Sequence, residues 1–530
     1  MRNVFKARKW ICLLAVMCIA AVSLFAGGGT QTTKPATAPS TDSGSPKYGG
    51  SLSVIVVAPR TMNLAKSSTT GDWPVMDPIL EQLGRYTMEG ITEPWLAESF
   101  NSDPNTNTCT IKLRANVFFT DGSSCDADAV AWNFQKYIDN GKGSEIGAPK
   151  SIETPDNLTV VIHYDGWANN WPDVLGQVHI MSKKAYMDHG EDWCTTNAVG
   201  TGPFMVDQYI PNTRLILKKN PNYRIKGLPY LDQLIEEFIT DVNTQVSAFM
   251  NNEVAFVGGT NPVIATRLEA AGFKNVAGQS PAFANIYHFL PSSKDPNAPT
   301  SNLQVRKAIM HCIDWDSVAK ALTNGRGIAL NQFGIKGAVS YNDDVKFYDY
   351  DPALAKKMLA DAGYPNGFST TIYGTAGIDG HEAIAVALQA CLKEIGITTN
   401  IEMLDPAAMT QRQVNEALNC FIVNVGSSMM DFTSNYIRLY SSEGIKNHGQ
   451  MVQPPDYVQA LFGARAAKTF TEKKSLLQSA AQKLTEEYVM VVPLAASFAV
   501  CYVQDYAHDL GFYAFGDQTI WTPEKAWNSK

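Results

Sequence analysis

Residues 351–404 read DPALAKKMLADAGYPNGFSTTIYGTAGIDGHEAIAVALQACLKEIGITTNIEML. Asp351 can cap a helix through its carboxylate, Pro352 suits a first helical position, and Gly363 suits a stop. Between them Ala355, Met358, Leu359 and Ala362 fall on one face at helical spacing. Phe368 to Thr375 then has the β-branched content of a strand. Ile384, Leu388, Leu392 and Ile395 form a second helical stripe, closed by Gly396, and Ile397 to Leu404 resumes a strand. Two strands joined by a crossover helix of this length must pair in parallel. The passage therefore predicts an α/β lobe.

Working outward, Leu477, Ala480, Ala481, Leu484 and Tyr488 predict another amphipathic helix. Val489 to Leu494 after it predicts a strand, with Pro493 near its end. At the other end, Leu52, Val54 and Val56 alternate as a strand would, so order is expected from about Tyr48. The stretch from 91 to 197 differs: it is rich in Asn, Asp, Ser and Trp, with short apolar runs, and reads as an α+β insertion. The chain of 530 residues exceeds what one core supports, so two or more lobes are expected.

The N-terminus carries Arg2, Lys6, Arg8 and Lys9 before an apolar run from Trp10 to Ala26, and ends in Gly27-Gly28-Gly29. A basic head, an apolar middle and a small-residue exit make a secretory signal over 1–26, with an uncleaved anchor as the alternative. Residues 27–47 are rich in Gly, Ser, Thr and Pro and read as a flexible linker, which cannot offset its ordering entropy. The protein is thus expected to be exported, periplasmic or held at the cell surface. The net charge of −8 argues against nucleic acid as a partner, since phosphate binding needs a clustered cationic surface. Cys109, Cys125, Cys194, Cys312, Cys391, Cys420 and Cys501 lie beyond the signal without metal-site spacing, and are expected as buried small apolar residues.

Motifs for chemistry are mostly missing. The chain has no GxxxxGK[ST] loop, HExxH, GxSxG or GxGxxG. Gly200-Thr201-Gly202-Pro203 lacks a lysine and reads as a turn entering a strand. Asp343-Asp344 and Glu236-Glu237 read as solvated acidic pairs, and His381-Glu382 as a helix start. The expectation is a protein that is not an enzyme, with no cofactor and no metal site.

A series of strings, in order along the chain, is similar to one family. Tyr48-Gly49-Gly50 comes first, then Glu93-Pro94-Trp95-Leu96-Ala97-Glu98-Ser99-Phe100. Leu113-Arg114, FFTDG at 118–122 and ADAV at 127–130 follow. After them come GTGPF at 200–204, Asn220-Pro221-Asn222-Tyr223 and LPYLD at 228–232. Val305-Arg306-Lys307-Ala308, Ile313-Asp314 and the segment from Tyr350 to Gly367 complete the series. The chain resembles the extracytoplasmic solute-binding proteins of peptide, dipeptide and nickel ABC transporters, the bacterial family 5 group. Several of these strings also have structural readings: Pro94-Trp95-Leu96 as core packing, Asp121-Gly122 as a turn, and Arg306 as an ion-pair partner. Two departures stand out, Arg224 where an aromatic is usual and Ala255 where an Asp is common. The usual lipid-anchor cysteine is also missing.

The resemblance implies a two-lobed α/β periplasmic binding protein of type II, with an extra α+β domain inserted in the first lobe. Lobe I would comprise 48–75, 198–284 and 498–530, the insertion 76–197, and lobe II 285–497. It implies a monomer that captures a small-molecule ligand in the interlobe cleft, most readily an oligopeptide, and delivers it to the membrane subunits of an ABC permease. Asp431 would pair with a ligand ammonium, with Gly426, Ser427 and Ser428 offering backbone to an extended peptide; the competing reading makes Asp431 a helix cap before Phe432 to Leu439. Trp73, Asn261, Phe283 and Asn285 lie in segments expected to reach the cleft, though each also reads as core or turn. An oligosaccharide is the alternative ligand, with Trp167, Trp171 and Trp193 as aromatic platforms. A ligand sensor and a secreted hydrolase are the alternatives of other classes.

Overall fold

In the segment 351–404 the caps and faces fall where the residues put them. In the computed structural model, which describes residues 45–67, 72–86, 92–259, 261–276, 284–415, 418–427, 431–444, 447, 449–515, 518–521 and 523–530, Pro352–Asp361 is a helix. The Asp351 carboxylate accepts the Leu354 amide at 2.9 Å, and the chain leaves at Gly363 with φ +97°, a conformation glycine adopts without penalty. Strand Ser369–Thr375 pairs in parallel with Thr398–Leu404 along its whole length. Helix His381–Glu394 crosses between them and buries Ile384, Leu388 and Leu392. His381 starts that helix and its Nδ1 accepts the Thr375 amide at 2.8 Å, tying the strand end to the helix start.

These strands complete a six-stranded sheet in the order Gly327–Ala329, Val492–Phe498, Ala284–Pro291, Cys420–Ser427, Ser369–Thr375, Thr398–Leu404. Period-two alternation divides its side chains between two cores. Phe289, Phe421 and Val423 face one, and Ile286, Leu290 and Ile422 the other. The strand expected at Val489 to Leu494 is displaced: it runs Val492–Phe498, because Val489 has φ +46° and breaks the extended run. Pro493 therefore lies near its start, next to the register shift between Tyr287 and His288 on the neighbouring strand, a place suited to a residue without an N–H.

The other large sheet has the order Val500–Val503, Phe256–Gly259, Ser51–Ile55, Gln233–Glu237, Arg214–Lys219, Phe204–Ile210. Leu52, Val54 and Leu234 face one core and Ile55 and Val257 another. Between strands 51–55 and 204–210 the chain builds a separate antiparallel sheet, in the order Ala97–Asp103, Thr108–Leu113, Thr159–His163, Ser151–Asp156. Helix Ala127–Asp139, capped by the Asp126 carboxylate on the Ala129 amide, packs with it. Gly200-Thr201-Gly202-Pro203 is a backbone seam and leads directly into strand 204–210. A Cβ on Gly200 would lie 2.1 Å from the Ile79 carbonyl, and one on Gly202 2.4 Å from that of Pro78.

Two further expectations change. Glu236 is not solvated: strand alternation turns it to the same face as Leu234, and it is 0% exposed. Arg306 is structural as expected, but through carbonyls: it donates to Thr300 O (2.8 Å), Ser301 O (2.9 Å) and Tyr488 O (2.9 Å). The seven cysteines among the described residues are free thiols, all buried except the half-buried Cys391. The segment read as a secretory signal, most of that read as a linker, Phe283 and Ser428 lie outside the described residues. Among the described residues no helix is long and apolar enough to cross a membrane, and no cluster of three His, Cys, Asp or Glu could hold a metal ion.

Candidate functional site: the junction of the two lobes

The chain passes between the large sheets twice. After strand 256–259 it runs through helix Pro262–Ala270 toward strand 284–291, and strand 492–498 returns through Ala499 into strand 500–503. The two passages run side by side: Val276 N–H donates to Cys501 O at 2.8 Å, and Cys501 N–H to Asn275 Oδ1 at 2.9 Å. Strand directions then fix which ends meet. Strands 51–55 and 233–237 are parallel to 256–259, so all three end at the junction. Strand 420–427 is antiparallel to 284–291 and parallel to 369–375, so these two also end there. In open α/β sheets such carboxyl ends are where ligands bind. Apolar side chains stand exposed just beyond them: Val57 after strand 51–55, Val263 after 256–259 and Ile378 after 369–375.

Three of the residues singled out in the sequence meet here. Asn285 lies opposite Ser427, and Ile286 opposite Gly426, in the antiparallel ladder. On its other side Asn285 faces Ser497. Asp431 lies just beyond. Its Oδ1 accepts the Thr433 amide at 2.9 Å at the start of helix Thr433–Tyr440, and its Oδ2 is ion-paired to Lys473. The Asp431 side chain is 28% exposed and that of Lys473 10%. Asp431 thus accepts the first amide of a helix and holds an internal ammonium at once. Asn261 and Trp73 are engaged within the first lobe. Asn261 caps helix 262–270 through the Val263 amide at 2.9 Å, and Trp73, half-buried against the core, sits 5.4 Å from the His179 ring.

The three tryptophans do not form an open platform. Trp171 is buried and stacked on Tyr164 at 4.1 Å, Trp167 packs edge-on against it at 4.9 Å, and Trp193 stacks on His189 at 4.3 Å. The unusual Arg224 stacks in place of an aromatic. Its guanidinium lies 4.4 Å from the Trp95 ring centre while Arg85 lies 3.5 Å from it, and Glu81 accepts from Arg224 Nε and from the Tyr223 hydroxyl, each at 3.1 Å.

Sequence reasoning missed His288 and Asn424, which face each other across the ladder. Burial pushes the His288 imidazole down to about 4, so it is neutral. Its Nδ1 lies 3.1 Å from Ile286 O and its Nε2 2.9 Å from the Tyr440 hydroxyl. The carbonyl can only accept, so Nδ1 carries the proton and Nε2 accepts from Tyr440. The side-chain amide nitrogen of Asn424 is buried without a protein partner. An inward polar residue between Ile422 and Gly426 was the only signal available in the sequence.

The segment 92–447 matches the model of the bacterial extracellular solute-binding proteins, family 5. A Brucella ovis protein named as a peptide-binding protein of an ABC transporter is 27% identical over 321 residues, covering 57% of this chain and 58% of that protein. The glutathione-binding protein GsiB of Escherichia coli K12 is 27% identical over 316 residues, covering 58% of this chain and 60% of its own. Both matches span less than two thirds of the relatives' length. The oligopeptide-binding protein AppA of Bacillus subtilis, solved with a nonapeptide, superposes with a TM-score of 0.74 at 19% identity, covering 92% of this chain and 100% of that one. The architecture is that of a two-lobed type II periplasmic binding protein, and the chain belongs to the family 5 extracellular solute-binding proteins.

Proposed function

We propose that the protein is the solute-binding component of an ABC importer, taking a small ligand between its lobes and presenting it to membrane permease subunits. The reading rests on one observation above all: two sheets joined by two adjacent passages, with their strand ends turned to the same junction. Two bodies hinged in this way can close over a ligand and exclude water. The partition into lobe I, insertion and lobe II set out above is part of this reading, and the chain segments that form each sheet support it.

The ligand class we favour is an oligopeptide. The ladder between strands 369–375 and 420–427 covers Cys420 to Ile422 and stops there, while the latter strand continues to Ser427 at the junction. Backbone at Gly426 and Ser427, beside Asn285, would suit pairing with an extended chain. The exposed Val57, Val263 and Ile378 suit apolar side chains of such a ligand. Asp431 enters this reading as a carboxylate that already holds Lys473. Native mass spectrometry of the exported protein, followed by denaturation, tests it. Release of intact short peptides is expected; a released sugar would overturn the peptide assignment, and cleaved products the binding role.

A further inference from the structure

Helix Pro455–Ala466 ends without a cap of its own. Ala467 turns out of the helix at φ −59°, ψ 137°, and no glycine follows to fold the chain back onto the last carbonyls. Such carbonyls need donors from elsewhere. They find them nearly 300 residues away, in the inserted segment. The Asn169 amide donates to Arg465 O at 3.0 Å. The Asn169 side chain donates to Ala464 O at 2.7 Å and Ala467 O at 3.1 Å, and Trp167 Nε1 donates to Ala467 O at 3.2 Å. Next to them Asn170 donates to the Ser434 hydroxyl at 2.7 Å, in the first turn of helix 433–440.

The loop that supplies these donors is anchored on the core of the insertion. Trp167 leans on Trp171, which is buried and stacked on Tyr164. One turn further, Asp173 lies within electrostatic reach of Asp431 and Lys473 across the same contact, and burial raises its carboxyl above the ordinary range. All the donors belong to the insertion and all the acceptors to the second lobe. Chain connectivity joins these bodies only through the two passages at the junction. The contact therefore exists only while the lobes are together, and parting them strips the helix end of its donors at once.

We propose that residues 167–170 form a clasp that holds the interlobe cleft shut, with Asn169 as a positioning residue that acts on closure without touching the ligand. The proposal rests on the reading that the cleft between the lobes is the binding site, but its test does not need the ligand. The Asn169 amide donates across the lobe contact, to Arg465 O, so its hydrogen exchange reports the clasp directly. Exchange is followed at single-residue resolution in the full chain and in Asn169→Ala, with the amides of helix 127–139 as a folding control. In the wild type, protection of at least about tenfold at residue 169 is expected, falling to below about threefold in Asn169→Ala with the control helix unchanged. A wild-type amide that exchanges at the free rate overturns the clasp, whatever the variant does. Protection that survives in Asn169→Ala overturns the role of that side chain. Failure of the peptide reading in mass spectrometry would leave both results standing.

Discussion

Replacing Glu236 by glutamine isolates one charge in the core of the first lobe. Glu236 is 0% exposed, it shares its face with Leu234 against Leu52 and Val54, and neither carboxyl oxygen has a protein hydrogen-bond partner. Burial, reinforced by the nearby Asp77, raises its pKa well above the ordinary 4.5. The unfolded chain ionises this group near that ordinary value, while burial favours the neutral acid in the folded chain. A raised folded-state value means that the stabilising contribution is complete below the unfolded pKa and is lost as pH rises toward the folded one. Each pH unit between the ordinary value and the folded one costs about 1.4 kcal/mol. Glu236→Gln cannot ionise and keeps the shape. Its stability relative to wild type should therefore rise with pH above the ordinary carboxyl range, by up to about 1.4 kcal/mol for each pH unit. Denaturant unfolding by tryptophan fluorescence at several pH values measures the difference. Parallel pH curves for the two proteins would refute the reasoning, because they would mean that Glu236 is ionised and solvated in the folded state.

Arg224→Met should destabilise the first lobe by roughly 3 kcal/mol in the same assay, because Glu81, with a side chain only 2% exposed, loses its cation. Arg224→Lys should fall between, keeping the charge but losing the planar stack on Trp95; an Arg224→Lys variant as stable as wild type would rule out the stack. Gly202→Ala should cost about 2–3 kcal/mol or more, since its methyl would meet the Pro78 and Ile79 carbonyls, and thermal unfolding of the purified variant reads this out. His288 works in the second lobe with the opposite sign to Glu236. Its folded value of about 4 lies below the ordinary 6.5, so its contribution is intact above 6.5 and is lost as pH falls toward 4, by about 3 kcal/mol in all. Its imidazole should stay neutral in NMR titrations down to about pH 5.

What the sequence revealed and what it hid divide along the distance over which each feature is decided. The helix at 352–361 was legible because Asp351, Pro352 and Gly363 act within a few residues of themselves, and the crossover 369–404 because its two periods are local. The start of strand 492–498 was not, since nothing in an apolar run betrays the left-handed turn at Val489. Glu236 was misread for a related reason. An acidic pair on a strand sends its members to opposite faces, and only the register with strand 51–55 decides which of them is buried. The site follows the same rule more severely. Asn285, Gly426 and Ser427 could each be picked from their segments, but that Asn285 lies opposite Ser427 is a fact of strand pairing across more than a hundred residues.

Asp431 shows why the identity of a residue does not give its role. From its neighbours it could be a helix cap or a ligand anchor, and it accepts the Thr433 amide at the start of helix 433–440 while Lys473, from the helix Phe470–Gln482, takes its second oxygen. A ligand ammonium arriving there would have to displace a buried lysine, and that lysine lies within electrostatic reach of Asp173. In the proposed reading, the charge that a ligand would meet at this end of the cleft is set by three residues, Asp431, Lys473 and Asp173. Removing the Lys473 charge should for that reason alter closure as well as binding. Exchange at the Asn169 amide in Lys473→Met, measured without ligand, separates the two: unchanged protection would confine Lys473 to the ligand, and lost protection would make the ion pair part of what holds the lobes together.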